Sequence, residues 1–216
     1  MEKNKINIII RTLVLSDLLI FFALGLLSPI YAIFVINNIK GGALGVIGFA
    51  VTMYWAARVI TTIPFSRLMD KIKGERDEYY CMIAGSFTIS ILPLFYIFSS
   101  LPWHIYAIQF LNGIANSLAI PAWRIIFTTH LDRGKTGYEW SLEDLSVGIA
   151  TAASASIGAL IAAKFGFHAL FVFISLLSLA GTSILAILYR DRTIFAKEEQ
   201  PRQGQIRAPL KVDSIK

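Results

Sequence analysis

Residues 66–76 read Ser-Arg-Leu-Met-Asp-Lys-Ile-Lys-Gly-Glu-Arg, and this short polar stretch divides a chain that is otherwise largely apolar. Two long apolar segments precede it and four follow it. Its position therefore predicts a loop between the second and third helices of a six-helix membrane protein. A basic loop is also typical of a simple topology signal, because lysine and arginine accumulate on the cytoplasmic side of membranes.

The composition favours a membrane protein. Of the 216 residues, 56% are hydrophobic and 16% are charged, and the mean hydropathy is +0.63. Soluble domains carry about 25% charged residues, so this composition disfavours a soluble fold. The single cysteine, Cys81, lies in an apolar run and offers neither a disulfide nor a cysteine metal site within one chain. The first apolar run is too long for the core of a signal peptide, so we expect no leader.

Six apolar segments are long enough to cross a bilayer, since a spanning helix needs about 20 apolar residues. We predict an all-α membrane protein with spans at about residues 12–36, 43–66, 79–100, 103–127, 141–163 and 168–189. These spans make residues 1–189 one transmembrane domain. The polar remainder, residues 190–216, shows no apolar periodicity and is predicted to be a disordered cytoplasmic tail.

Lysine and arginine are unevenly distributed between the two sides. With the N-terminus inside, 17 of the 20 basic residues fall in inner segments, and only Lys40 and Lys164 fall in outer loops. The bias predicts a multi-pass protein of the cell membrane with both termini cytoplasmic. The net charge of +6 then reflects topology, and nucleic acid is not an expected partner.

The order of residues in the 66–76 loop resembles the signature that follows the second helix in the major facilitator superfamily, Gly-x-Leu-x-Asp-Arg-x-Gly-Arg. The matching positions are Leu68, Asp70, Gly74 and Arg76. Ser66 replaces the first glycine, Lys71 replaces the first arginine, and one extra residue precedes the second glycine. In that family the loop latches the neighbouring domain in one conformation and releases it in the other.

A second stretch extends the resemblance. Residues 131–137, Leu-Asp-Arg-Gly-Lys-Thr-Gly, are similar to the family's short Arg-Gly-x-x-Gly linker that enters helix 5. The resemblance covers roughly residues 10–190 and matches the N-terminal half of a transporter that normally has twelve spans. It implies a conformational clasp on the cytoplasmic side, formed by Asp70, Lys71, Gly74, Arg76, Arg124, Asp132 and Arg133.

Two prolines indicate an internal repeat. Placing Pro29 over Pro121 aligns Pro-Ile-Tyr-Ala-Ile with Pro-Ala-Trp-Arg-Ile, each near the end of the first helix of a triplet. Helices 1–3 then correspond to helices 4–6, and the second triplet enters the membrane from the opposite side. Two inverted three-helix repeats make up one half of a major facilitator protein.

Other positions depart from the family pattern. Gln109 stands where many members carry the arginine linked to proton coupling, in the pattern Arg-x-x-Gln-Gly. Helix 5 reads Ser-Ala-Ser-Ile-Gly-Ala from Ser154, where antiporters carry Gly-Pro-x-x-Gly-Gly. These differences disfavour a standard drug–proton antiporter.

Polar side chains inside the membrane are costly and are therefore candidates for function. Gln109, Asn112 and Asn116 lie at spacings of three and four on one stripe of helix 4. This stripe is expected to line a hydrophilic cavity, or else to hold helices together. Asp17 and Arg58 lie at similar depths, about 9 and 14 Å from the basic side. Asp17 is a candidate proton or cation site and Arg58 a candidate anchor for an anionic substrate; the alternative is a structural ion pair.

Helix 5 opens with Glu143 and Asp144, where the helix dipole favours acidic side chains. A structural role is expected for this acidic pair, with a contact to the clasp as the alternative. Small side chains predict a close packing face on this helix, formed by Gly148, Ala152, Ala155 and Ala159.

The expected function is transport of a small-molecule substrate by alternating access, as half of a secondary transporter. The second half would come from a homodimer, or from a heterodimer with another six-helix chain. The alternative is a non-transporting interaction or assembly module, or a truncated half-transporter. No enzyme, cofactor or metal is expected, since the sequence has no catalytic motif, phosphate loop or metal-ligand spacing.

Overall fold

The computed structural model describes residues 6–71 and 75–188, and these residues fold into helices without any strand. In chain order the helices are α1 (Ile8–Gly25), α2 (Tyr31–Asn38), α3 (Leu44–Lys71), α4 (Arg76–Tyr96), α5 (Pro102–Thr129) and α6 (Thr136–Ile187). The all-α fold predicted from the sequence is confirmed for this part of the chain. The predicted tail at residues 190–216 and Gly74 of the predicted clasp lie outside the described residues.

Four helices are long and apolar enough to cross a membrane, namely α1, α3, α4 and α6. Helix α5 is as long as α3, with 28 residues, but it is not among the four. Its amide side chains, Gln109, Asn112 and Asn116, lower its apolar character. The predicted cavity stripe thus lies on a helix outside these four.

The first predicted span, residues 12–36, forms two helices instead of one. Between α1 and α2 the chain makes a tight turn, with hydrogen bonds from Ser28 N to Gly25 O at 3.3 Å and from Ile30 N to Leu27 O at 3.0 Å. Pro29 contributes to the break because it has no amide hydrogen to donate. Pro121, at the matching position of the predicted repeat, lies inside a continuous α5.

Helix α6 reverses direction at Gly166. This glycine has φ 79° and ψ 169°, a conformation that residues with a side chain avoid. The contacts with α1 follow the reversal: Ser146 with Val14, Gly158 with Leu26, and Gly181 with Ser16. The part of α6 before Gly166 therefore runs parallel to α1, and the part after it runs back along the same helix.

The helices pack around three buried apolar clusters: one at each end of the bundle and a smaller one formed by Ile89, Ala115 and Ala119. Helix α1 packs on α6, while α5 packs on both α3 and α4. We call the end where α1, α4 and α6 begin the basic end; its cluster includes Ile9, Met69, Tyr79, Phe127 and Leu185. The cluster at the opposite end includes Phe34, Tyr96, Ile105 and Phe171.

The packing face of α6 differs from the predicted one. Gly148, Ala152 and Ala159 are exposed, and a Cβ at Gly148 would meet nothing within 4 Å. The buried stripe before Gly166 is instead Glu139, Glu143, Ser146, Ala150, Ser154 and Gly158. The predicted face is thus not the one that packs on α1. This segment carries small residues on several faces, so composition alone does not show which face meets α1.

Candidate functional site

A pair of acidic side chains connects α1 with α6. The carboxyl groups of Asp17 and Glu143 lie next to each other. Glu143 is buried and Asp17 is half-buried. Two acids from different helices therefore meet at the contact between α1 and α6.

The local structure explains why these two acids meet. Asp17 lies nine residues after the first residue of α1, about 14 Å along the helix axis. Glu143 follows Glu139 by one turn on the buried stripe of α6. Close by, the Ser146 hydroxyl donates to the Val14 carbonyl at 3.4 Å and fixes α6 against α1. The buried stripe thus directs Glu143 towards α1.

Sequence reasoning missed Glu143 as the partner of Asp17. It assigned the acid to the helix dipole, because Glu143 lies at the start of a predicted span. A signal was present: Glu139, Glu143 and Ser146 are spaced by four and three, and the same spacing continues through the small residues that follow. That pattern marks one face of a helix.

Arg58 does not pair with Asp17. Its Nη1 donates to the Tyr54 hydroxyl at 3.1 Å, and its guanidinium lies 5.0 Å from the centre of the Trp55 ring. The Nε atom is buried and has no hydrogen-bond partner. Across residues 6–71 and 75–188, no carboxylate lies within ion-pair distance of this guanidinium. The direct Asp17–Arg58 ion pair considered from the sequence is therefore not formed there.

The three amides of α5 form a connected chain. Gln109 Nε2 donates to the Tyr31 hydroxyl at 3.2 Å, and Asn112 Nδ2 lies 3.5 Å from Gln109 Oε1. Asn116 Nδ2 donates to Asn112 Oδ1 at 2.9 Å. The Tyr31 ring also packs edge-on against the Tyr96 ring of α4, with ring centroids 5.9 Å apart. All three amides are half-buried, so their polar atoms remain partly open.

Contacts between α3 and α5 place Arg58 alongside this chain. Gly113 of α5 packs directly against the backbone at Tyr54, and Ser117 Oγ lies 3.0 Å from Thr62 Oγ1. Arg58 lies on α3 between these two contact points, while the amides run past them on α5. We call the combined surface of Tyr31, Arg58, Gln109, Asn112 and Asn116 the polar face.

The predicted clasp residues lie at the basic end. Among those described, the exposed ones are Asp70, Lys71, Arg76, Arg124 and Arg133. Asp132 is half-buried; its Oδ2 accepts from the Asn7 amide at 3.3 Å and lies 3.7 Å from Lys135 Nζ. The Asp132 amide in turn donates to Glu139 Oε2 at 3.0 Å. Asp132 therefore ties the linker before α6 to the start of α1.

A buried pair at the same end was not found from the sequence. His130 Nε2 lies 3.5 Å from Glu75 Oε2, and both side chains are buried. The contact joins the end of α5 to the residue that precedes α4. No spacing in the sequence signals it, because the two residues are far apart in the chain and meet only through packing.

Comparisons with known proteins agree with this architecture. The family model described as Major Facilitator Superfamily matches residues 13–214. The "Multidrug resistance protein MdtG" of Dickeya zeae (strain Ech586) is 25% identical over 167 residues, which cover 76% of this chain and 40% of that protein. The chain thus spans less than half the length of this relative. The resemblance drawn from residues 66–76 and 131–137 is confirmed: the chain is a multi-pass membrane protein that belongs to the major facilitator superfamily.

Proposed function

We propose that this chain forms one six-helix half of an alternating-access carrier for a small solute. The observation that carries the proposal is the polar face. Its amides and Arg58 lie in the middle of long apolar helices, and α3 buries only three of its 28 residues against the rest of the chain. A polar surface on a sparsely packed membrane helix is typical of one wall of a solute pathway.

The six-span arrangement follows from the helices described above. We infer that α1 and α2 together make the first span. Helix α6 has 52 residues, so it would be about 78 Å long if straight, which is more than two hydrocarbon thicknesses of about 30 Å. Its reversal at Gly166 supports two spans. The result is two groups of three spans, as expected for inverted three-helix repeats.

The second wall of the pathway comes from a second six-helix unit. A polar group facing lipid without a partner costs several kcal/mol, and a covering unit removes this cost for the polar face. We propose a parallel homodimer, or a heterodimer with another six-span chain, that covers α1, α3, α5 and the first part of α6. The charge bias that predicts cytoplasmic termini in the cell membrane disfavours an antiparallel pair.

The clasp belongs to the same proposal. Asp70, Lys71, Gly74 and Arg76, together with Arg124, Asp132 and Arg133, would bind the neighbouring unit in one conformation and release it in the other. The contacts of Asp132 with Asn7 and Lys135 support a polar junction at the basic end. Because the clasp acts between units, Asp70 should affect switching more than folding.

A second candidate function is a non-transporting assembly module. It is favoured by the length of the chain, which spans 40% of the relative it matches. In that case the polar face would hold a partner permanently, and it would not open to either side. The two candidates therefore differ in whether water reaches the polar face from both sides of the membrane.

Labelling of a single cysteine tests the proposal. Asn112→Cys, in a Cys81→Ser background, is exposed to a membrane-impermeant maleimide in vesicles of either orientation. Gly137→Cys at the basic end and Gly45→Cys near the opposite end serve as controls, because a Cβ meets nothing within 4 Å at either glycine.

We expect Asn112→Cys to react from both sides, whereas each control reacts from one side only. Adding Asp70→Asn should shift the Asn112→Cys labelling strongly towards one side without lowering the amount of folded protein. Labelling of Asn112→Cys from a single side in every background would favour the assembly module. Labelling of both controls from the same side would overturn the six-span arrangement.

A further inference from the structure

Arg58 lies in the middle of α3, and much of its hydrogen-bonding capacity is unused. A guanidinium group donates hydrogen bonds through all three of its nitrogens. In the part of the chain that the structure describes, Arg58 donates from Nη1 to the Tyr54 hydroxyl at 3.1 Å, and its buried Nε has no partner. An unpaired buried donor is costly, and more so on a charged group. An acceptor from outside these residues would therefore stabilise the site.

The unused donors lie along one edge of the guanidinium group. Because the group is planar, Nε–H and one N–H of Nη2 point in the same direction, away from Nη1. This edge forms a fork that can bind two oxygens of one carboxylate or phosphonate group. The Tyr54 hydroxyl and the Trp55 ring, whose centre lies 5.0 Å from Cζ, contact the guanidinium on its other sides. The arrangement of donors thus matches an oxyanion.

The surroundings of this fork are polar but not negatively charged. Helix α3 contains no acid before Asp70, and α5 contains none over its whole length. The three amides of the polar face can donate as well as accept hydrogen bonds. Trp55, with 54% of its surface exposed, adds an aromatic surface. A cation on the polar face would therefore meet Arg58 without a compensating acid.

A second copy of the chain has no acid at the level of Arg58. On the helices that the second unit would cover, the acids are Asp17, Asp70, Glu139, Glu143 and Asp144. The three on α6 come before Ser146, which contacts Val14 in the apolar cluster of the basic end. Asp70 follows Met69, a member of the same cluster. These four acids therefore lie near the basic end.

Depth along the helices separates the remaining acid, Asp17, from Arg58. Ile9 and Met69 share the cluster of the basic end, and Asp17 lies about 12 Å from the level of Ile9. Trp55, which the guanidinium contacts, lies about 21 Å from the level of Met69. A parallel two-fold pair keeps these levels and brings a second Arg58 to the same depth. Two such copies therefore place positive charge on both walls, and an anion balances it.

We propose that the oxyanion group of a small organic anion binds to the Nε–Nη2 edge of Arg58, and that such anions are the substrates of the carrier. The substrate role rests on the function proposed above, whereas anion binding rests on the contacts of Arg58. The amides of the polar face bind uncharged polar groups of the anion, and Trp55 contacts its apolar part. An acidic group of a different six-span chain is the competing acceptor, and it would exclude the anion from this edge.

Binding of aromatic anions to the purified full chain in lipid discs tests the proposal. Benzoate and phenylphosphonate are the anionic probes, while benzyl alcohol and benzylammonium carry the same ring without charge and with a positive charge. The thermal unfolding temperature is followed at constant ionic strength as each probe is added, since a ligand of the folded chain stabilises it. Arg58→Gln and Arg58→Lys are compared with Arg67→Gln, the matched control, which changes an exposed arginine of the same helix.

We expect both anions to raise the unfolding temperature, and the uncharged and cationic probes to leave it unchanged. Arg58→Gln should weaken anion binding by about tenfold or more, because it removes a charged donor. Arg58→Lys should retain part of the binding, since it keeps the charge but lacks the fork. Arg67→Gln should bind the anions like the parent. The unfolding temperature without any probe shows whether each variant folds.

Three results would overturn the proposal. Neither anion stabilises the parent, or benzyl alcohol stabilises it as much as benzoate does, or Arg58→Gln binds the anions as tightly as Arg67→Gln. If neither anion binds and Arg58→Gln lowers the unfolding temperature, an acidic group of a partner occupies the edge instead.

A second measurement separates the anion site from the carrier function. The labelling of Asn112→Cys is repeated with and without benzoate. A substrate should slow the labelling from both sides, and Arg58→Gln should abolish this protection. If benzoate binds through Arg58 without changing the labelling, the substrate role is wrong. If the cysteine reacts from both sides and neither anion binds, the carrier function stands and the anion site fails. If it reacts from one side only while benzoate binds through Arg58, the carrier function fails and the anion site remains.

Discussion

Helices α1 and α3 each carry one charged residue in the middle of an apolar segment, but their surroundings differ. Helix α1 buries eight of its 18 residues, whereas α3 buries three of its 28. Asp17 on α1 lies against an acid of the neighbouring α6, while Arg58 on α3 contacts two aromatic rings of its own helix. A charged side chain on a packed helix can thus lie against a side chain of the neighbouring helix. On a sparsely packed helix it contacts side chains of the same helix.

The difference has a chemical consequence. The Asp17 carboxyl group lies against a second acid at a helix contact. Arg58 has a buried Nε without a hydrogen-bond partner among the described residues, and we propose that an anion or an acidic group of a second unit binds there. We therefore expect α1 to tolerate very little change at its contact surface, and α3 to tolerate much more.

The largest expected effect is on the α1 contact. Gly158→Ala places a methyl group against the Leu26 carbonyl, whereas Gly48→Ala on α3 meets nothing within 4 Å. Overpacking of this kind costs about 1–3 kcal/mol. Gly158→Ala should therefore lower the thermal unfolding temperature and the monodisperse yield in detergent. Gly48→Ala, and Gly148→Ala on α6 itself, are the matched controls and should behave like the parent.

Replacing the charged residue should lower the stability of the chain in the case of α1 but not in the case of α3. Asp17→Leu leaves the buried Glu143 carboxyl group against an apolar side chain and should destabilise the chain by about 1–3 kcal/mol. Arg58→Leu removes a charge that has no carboxylate partner in residues 6–71 and 75–188, so it should leave the unfolding temperature unchanged or raise it. Thermal unfolding in one detergent compares the two variants. Equal destabilisation by the two substitutions would show that Arg58 has a structural role, and Asp17 and Arg58 would then not differ as described above.

The smallest expected effect concerns the amide chain. Tyr31→Phe removes the hydroxyl that accepts from Gln109, and hydrogen bonds between membrane helices contribute about 0.6 kcal/mol on average. A small loss of stability is expected, together with altered labelling of Asn112→Cys. Tyr138→Phe, at an exposed position of α6, is the control. If Tyr31→Phe and Tyr138→Phe unfold at the same temperature and give the same labelling of Asn112→Cys, the hydrogen bond from Tyr31 to the amides does not contribute to stability.

The sequence predicts the helices well where long apolar runs are flanked by charges, as in α3 and α4. It does not predict the break after α1, because proline alone is ambiguous: Pro29 lies in a turn, whereas Pro64, Pro93 and Pro121 lie inside helices. Whether a membrane helix tolerates proline depends on how the freed carbonyl is satisfied, and neighbouring helices decide that.

In the candidate site, too, residue spacing predicts some features, whereas helix packing decides others. Spacing along α5 places Gln109, Asn112 and Asn116 on one stripe, and the structure links them by hydrogen bonds. The depth argument for Asp17 and Arg58 compared positions along the membrane normal, but it contained no information about helix rotation. Rotation is set by side-chain packing between helices, which is why Glu143 was not recognised as the partner of Asp17.

The central claim is that a second six-helix unit covers the polar face. The direct test attaches a benzophenone photocrosslinker to Asn112→Cys in a Cys81→Ser background and irradiates native membranes. We predict a crosslinked product that contains a second copy of the chain or another multi-pass chain. Phe87→Cys, at an exposed position of α4 outside the covered helices, should give little or none. A chain that transports in liposomes as a monomer, with crosslinks from Asn112→Cys to lipid alone, would contradict the account.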